Sequence, residues 1–442
     1  MDDKSLHDLL NGALAGEPPL GPVAQNALAR GIRLRRSRRI RATAAATAAA
    51  AVIAVAIPAT LGVLGHLPRP AQPPAAPTLY IANDSPDLSS NGGTVVPVNT
   101  ATNTPGKPIQ VVGGPNSPTI ADNVGKIAIT PDGKTAYVTT GSSVTPISTA
   151  TNTPGTPIHI APNGNDIYPD FIAITPDGKT AYVASGPGTV TPINTATNTP
   201  GTPIPVGRGP VWIAITSDGK TAYVASQSGT VTPISTATNI PGTPIRVGAA
   251  NFTSAGGAFI AITPDGKTAY VAEVSDTVVP IRTATNTPGK PIHLRNGSQV
   301  YWIAITPGGK TLYVLTVNGA NQFSVTPIIT ATNTPGQPIP VRPTNPTASG
   351  GIAAGQIAIT PDGRTAYAAN ASGVMPINTA TNTAGKPIHI AGLFQIAITP
   401  DGKTVYAASN SGTILPINTA INSPGPPIHV ITRLYPVIAI TP

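Results

Sequence analysis

The chain has no cysteine among its 442 residues, which excludes disulfide staples, thiolate metal sites and cysteine nucleophiles. That count leaves the compartment open, since a cysteine-free domain folds on either side of a membrane. Charge is scarce too: Asp, Glu, Lys and Arg make up 10% of the residues, too few for a charge-dominated surface. The net charge of +9 is unevenly placed, because residues 1–41 hold eight Lys/Arg against four Asp/Glu. The other +5 is spread over about 400 residues, so no nucleic-acid footprint is expected. Beyond residue 78 the only glutamate is Glu273, and neither a G-x-S-x-G elbow nor a phosphate-binding loop occurs. Those absences weigh against a hydrolase or a nucleotide-dependent enzyme.

Glycine (45) and proline (52) are abundant instead, and they recur at fixed phases, which marks turns rather than low complexity. The repeated module is IAITPDGKTAYVA, as at Ile172–Ala184. It reads as two short strands of β-branched and aromatic residues around a Pro-Asp-Gly turn. A second unit follows, TVTPINTATNTPGTPIPV at Thr189–Val206, with two more strands around an expected Pro-Gly turn. The IAIT element starts at Ile127, Ile172, Ile213, Ile260, Ile303, Ile357, Ile396 and Ile438, at spacings of 39 to 54 residues. The T-x-Y element starts at Thr78, Thr135, Thr180, Thr221, Thr268, Thr311, Thr365 and Thr404. Such periods belong to propeller blades, and the Pro and Thr content excludes helical repeats. The expected fold is all-β: an eight-bladed β-propeller of four-stranded blades over 78–442, closed by pairing TLYIAN with the last IAI. A proline recurs inside each third strand, as at Pro97, Pro146 and Pro192, and predicts a bulge there or an early strand end.

PDGKTAYV followed by TATNTPG resembles the YVTN-family β-propeller repeat, found in bacterial surface and periplasmic proteins. The resemblance spans 78–442. It departs from the family in its degraded tetrad (Tyr137-Val138-Thr139-Thr140 is nearest) and in Asn194 and Ser148 at the usual Asp position. It also departs in blade number, since many members have seven. It implies a fold and a cell-surface setting, not a reaction.

Ahead of the repeats, residues 1–41 form a basic tail with seven arginines between Arg30 and Arg41. Residues 42–65 carry no charge and include eleven alanines, three threonines and Pro58. As a helix this segment would be about 36 Å long, enough to span a bilayer core of about 30 Å. The arginines predict a transmembrane signal anchor with a cytoplasmic N-terminus and an extracytoplasmic propeller. Ser37-Arg38-Arg39 also opens a twin-arginine pattern, so a cleaved, secreted form stays open. Residues 66–77 are a Pro-rich linker.

Alternating strand direction sorts the loops onto two faces. The turn face carries the repeated Asp and Lys residues; the loop face carries the residues that change from blade to blade. Phe171, Trp212, Phe259 and Trp302 each precede the first strand of four consecutive blades and should arc around the central mouth. With Tyr301 they form the candidate binding set, either a stacking platform or a plug against water. Asp166, Asp170 and Arg208 on neighbouring loops are its candidate polar members. His159, His293, His389 and His429 fall on separate blades, so no metal site is expected, and no cofactor. These readings predict a membrane-anchored binding scaffold for a cell-envelope glycan or protein, and not an enzyme. The alternatives are a lactonase-like propeller hydrolase and a structural, surface-layer-like protein.

Overall fold

The computed structural model describes residues 76–442, apart from 85–92, 112–123, 142, 161–168, 187, 249–257, 274–275, 295–298, 321, 342–354, 371 and 431–435. The expected tail, anchor and most of the linker therefore lie outside the described residues. Among the described residues no helix is long and apolar enough to cross a membrane. Among the described residues all regular structure is strand, arranged as eight separate antiparallel sheets, one per repeat.

Blade 3 shows the pattern: Pro169–Ile174, Thr180–Ser185 and Thr189–Asn194 pair in sequence, and two short segments, Thr199–Pro200 and Ile204–Pro205, both pair with the third strand. The first strands of blades 2 to 8 are Val124–Ile129, Pro169–Ile174, Pro210–Ile215, Phe259–Ile262, Gln299–Ile305, Gln356–Ile359 and Leu393–Ile398. Blade 1 takes its first strand from Val437–Ile440, which pairs with Thr78–Asp84. Each first strand contacts the next, so the eight form a continuous inner ring. The joint in blade 1 reproduces the hydrogen bonds of the covalent hairpins. Thr78 N donates to Thr441 Oγ1 at 2.8 Å, as Thr135 N donates to Thr130 Oγ1 at 3.1 Å.

Two expectations about turns are corrected. The reversal between third and fourth strands is not the Pro-Gly pair. It is the four residues before, as at Thr195–Asn198, with Asn198 at φ 55°, and Thr199–Pro200 already runs as strand. Asparagine stands at this left-handed position in all eight blades, because its short amide tolerates a conformation that branched side chains resist. Nor does the third strand bulge at its proline. Tyr182 pairs with Pro192 in unbroken register with the second strand. The carbonyl of Pro192 accepts from Gly201 N at 2.7 Å, so its missing donor also faces the fourth strand. There the outer strand splits into its two segments, and no acceptor is left waiting.

The hydrophobic core is divided into eight slabs between adjacent blades rather than gathered in one mass. One face of blade 3 offers Tyr182, Ala184 and Val190, and the facing side of blade 4 offers Ile213, Ala222 and Val224. This is why second strands read as uninterrupted apolar runs: both faces are covered. The repeated tyrosine anchors each slab. Its ring is fully buried, and its hydroxyl donates to the left-handed Asn of the next blade at 2.5–2.7 Å in every case. Each ring contributes about 1.5–3 kcal/mol of burial, and each bond about 1 kcal/mol more. Burial pushes these phenols up, to about 12 for Tyr182 and Tyr406.

Candidate functional site

The residue before each IAI element occupies one position of the inner ring at the loop-face end. Around the ring these residues are Val437, Lys126, Phe171, Trp212, Phe259, Trp302, Gln356 and Gln395. Half the ring is aromatic, and the four aromatic members come together. Phe171 and Trp212 have ring centroids 4.3 Å apart at 36°. Trp212 meets Phe259 at 5.3 Å and Trp302 at 5.2 Å, both edge to face, while Phe259 and Trp302 lie 5.5 Å apart. Trp212 and Trp302 belong to blades 4 and 6, so their contact passes across the front of blade 5. These separations suit edge-to-face attraction between aromatic quadrupoles. All four side chains are half-buried. The indole N–H of Trp212 donates to Ile260 O of the following blade at 3.0 Å.

A backbone device that the repeat does not announce lies beside three of the four rings, those of Phe171, Trp212 and Trp302. In blades 2, 3, 4, 6 and 8 the register of the first strand slips just before the ring position. The extra residue forms a β-bulge, which places two successive side chains toward one side. Val211 and Trp212 accordingly pack on the same slab, as do Tyr301 and Trp302.

Tyr301 does not join the cluster. Its ring packs near Phe323, with centroids 6.3 Å apart, and its hydroxyl donates to Gln299 Oε1 at 3.4 Å. Burial raises its phenol above the ordinary value. Arg208 is exposed between Gly207 and Gly209, both at positive φ, and its backbone lies against Gly188 of blade 3. Asp166 lies outside the described residues, and for Asp170 only the backbone is described, in the bulged part of its strand. Among the described residues no three His, Cys, Asp or Glu side chains come together as metal ligands.

The non-aromatic half of the ring holds residues that the sequence reading passed over. Gln356 Oε1 accepts from Ile396 N, and Gln395 Oε1 from Ile438 N, both at 2.8 Å and both across a blade boundary. The signal was present, since both glutamines occupy the phase of the aromatics. What hid it was the partner, a backbone N–H about forty residues away. Glu273, the one glutamate in the repeats, is buried at the end of its second strand against Gly248.

No family model matches the sequence, and no curated protein matches it. Solved structures do match in fold. Hydrazine synthase of Kuenenia stuttgartiensis is 22% identical with a TM-score of 0.55, over 70% of this chain and 99% of that one. Dihydro-heme d1 dehydrogenase NirN in complex with DHE is 13% identical with a TM-score of 0.60, over 86% and 79%. A chain of a mitotic checkpoint complex is 11% identical with a TM-score of 0.53, over 80% and 96%. At such identities the likeness carries the fold alone: this chain is similar to them as an all-β propeller.

Proposed function

We propose that this chain is a membrane-anchored, extracytoplasmic propeller that acts as a binding scaffold for a cell-envelope glycan or protein. One observation carries the reading. Phe171, Trp212, Phe259 and Trp302 gather into one half-exposed apolar patch on an otherwise repetitive frame. Half-exposed Trp and Phe surface is where glycan faces stack and where protein partners place their anchoring contacts. The anchor and orientation follow from the uncharged 42–65 segment and the arginines before it. The resemblance to YVTN repeats supports the cell-surface setting. The rival role for the patch is closure of the central mouth. The same edge-to-face packing serves it, and the satisfied indole N–H of Trp212 fits it equally.

The two tryptophans are the only ones in the chain, so indole emission reports on this patch alone. Full-length protein is titrated with envelope polysaccharide and peptidoglycan fragments, and in parallel is used to capture envelope proteins. The proposal expects a saturable emission shift in the wild type, and a retained glycan or partner that Trp212→Ala/Trp302→Ala, which has no indole to read and is scored by capture alone, no longer holds while its fold persists. No ligand, or the same ligands on both proteins, would leave the rings as a plug.

A further inference from the structure

The opposite, turn face has a second candidate site, set by an arginine that stands at the end of the third strand in one blade alone. At the last residue of the third strand, blades 1, 3, 7 and 8 carry Asn99, Asn194, Asn378 and Asn418. Each asparagine Oδ1 accepts from the backbone N–H two residues on, at 2.9–3.0 Å, and caps its own turn. Blade 5 has Arg282 in that place, which only donates. The Ala284 N–H therefore lacks this cap; among the described residues the same N–H is uncapped in blades 2, 4 and 6, where Ser148, Ser235 and Ile329 stand, and the guanidinium is what sets blade 5 apart.

Arg282 and Ala284 line a groove of about 400 Å³ between blades 5 and 6, together with Lys267, Thr287 and Asn333. Asn333 Oδ1 already accepts from Tyr270, and its amide nitrogen is a donor only. Lys267 keeps a long, exposed pairing of 3.7 Å with Asp265, worth little in water. The surroundings add positive charge. Gly308 replaces the turn aspartate of blade 6, so Lys310 lacks the acidic partner that the equivalent Lys179 and Lys403 have. Lys290 adds another cation to blade 5. The groove thus collects a guanidinium fork, an ammonium, a main-chain N–H and a side-chain amide, with Asp265 as its one nearby acid. A donor set of that kind matches a tetrahedral oxyanion, and the fork can take two of its oxygens.

We propose that this groove binds a phosphate group, free or on a phospholipid headgroup. The site lies at the other end of the strands from the aromatic patch, so its success or failure is independent of the function proposed above.

The test uses the full-length chain at low ionic strength, titrated calorimetrically with inorganic phosphate and with glycerophosphoglycerol, the soluble deacylated headgroup of phosphatidylglycerol, which offers the 42–65 segment no bilayer to enter. Arg282→Asn is the informative variant, because it installs the cap that blades 1, 3, 7 and 8 use and so keeps the fold. Saturable binding in either arm, weakened about tenfold or more by Arg282→Asn and unchanged by Lys134→Ala in blade 2, supports the site. Phosphate binding assigns a soluble phosphoryl ligand; binding of glycerophosphoglycerol without phosphate binding assigns a headgroup. Absence of binding in both arms, or binding that Arg282→Asn leaves intact, overturns it.

Discussion

Tyr406 donates its phenolic hydrogen to Asn103 Oδ1 at 2.6 Å, joining residues 303 positions apart in sequence. The bond is one of eight equivalents, and it is the one that crosses from blade 8 to blade 1. The joint between the two ends of the propeller is thus held by the same chemistry as every internal blade boundary. Tyr406→Phe and Tyr223→Phe should each lower stability by about 0.5–1.5 kcal/mol, since each removes one net hydrogen bond and keeps the ring packing. Chemical denaturation of the two variants checks this. A much larger loss in Tyr406→Phe would show that the closing boundary is weaker than the others.

The same eight phenols set the behaviour in alkali. Their folded-state values are raised, to about 12 for Tyr80, Tyr137 and Tyr313, because burial disfavours the phenolate. A raised value means that the folded state holds the proton more tightly than the unfolded state. The stabilisation is therefore complete below about pH 10 and disappears as pH rises toward 12. Absorbance at 295 nm should show most of the eleven tyrosines titrating only with unfolding. Reversible titration of eight or more near pH 10 would contradict the burial.

At the acid end the turn aspartates act in the opposite sense. Asp132 is held down to about 2, first by the hydrogen bond from Thr130 and then by the Lys134 backbone N–H. Asp177 is lowered for the same reasons, with Thr175 the first of them. Stability from these groups is present above the ordinary carboxylate range and is lost as pH falls from about 4 toward 2. Thr175→Val should raise the Asp177 value, as read by carbon NMR, and cost about 1–2 kcal/mol, because Thr175 also accepts from Thr180 N. Lys179→Ala should change stability by less than about 0.5 kcal/mol, since that pair is exposed.

The repeats made blade number, strand order and closure readable, because Gly, Pro and β-branched residues fall at phases that only a four-stranded unit accommodates. The arc of Phe171, Trp212, Phe259 and Trp302 was readable for the same reason: their phase is constant. The turn at Thr195–Asn198 was misplaced because Pro-Gly is the stronger local signal, while the left-handed Asn shows itself only in the backbone. The Tyr–Asn bonds were hidden because eight identical tyrosines and eight identical asparagines do not say which blade pairs with which. The bulges before Trp212 and Trp302 depend on inter-strand register, which no local pattern encodes.

Gly201 and Pro192 provide a test of why the outer strand divides. A Cβ at Gly201 would stand 3.1 Å from Pro192 Cγ and 3.5 Å from its carbonyl oxygen, tighter than ordinary contact on the ring side. Gly201→Ala should therefore destabilise by about 1–2 kcal/mol. In a Pro192→Ala background the ring is gone and most of that loss should disappear, giving a coupling of about 1 kcal/mol in the double-mutant cycle. Additive effects would mean that the glycine is needed for some reason other than the proline ring.

The inner ring yields the last prediction, which separates packing from hydrogen bonding at one structural position. Gln395 and Trp212 occupy equivalent places and both reach the next blade, one as an acceptor and the other as a donor. Gln395→Ala leaves the N–H of Ile438 without its acceptor, and Ile438 is buried, so the cost should be about 1–3 kcal/mol. Trp212→Phe removes one donor from the carbonyl of Ile260 but keeps an aromatic ring against Phe171 and Trp302, so it should cost less. Trp212→Ala opens the cluster and should cost about 3–5 kcal/mol if the rings are packed as tightly as a core. Because the cluster is half-exposed, a smaller loss, near 1–2 kcal/mol, is the expected result. Thermal unfolding of the three variants decides the matter. The nearer Trp212→Ala falls to Trp212→Phe, the less the four rings contribute to stability, and the more their gathering at the mouth calls for a partner to explain it.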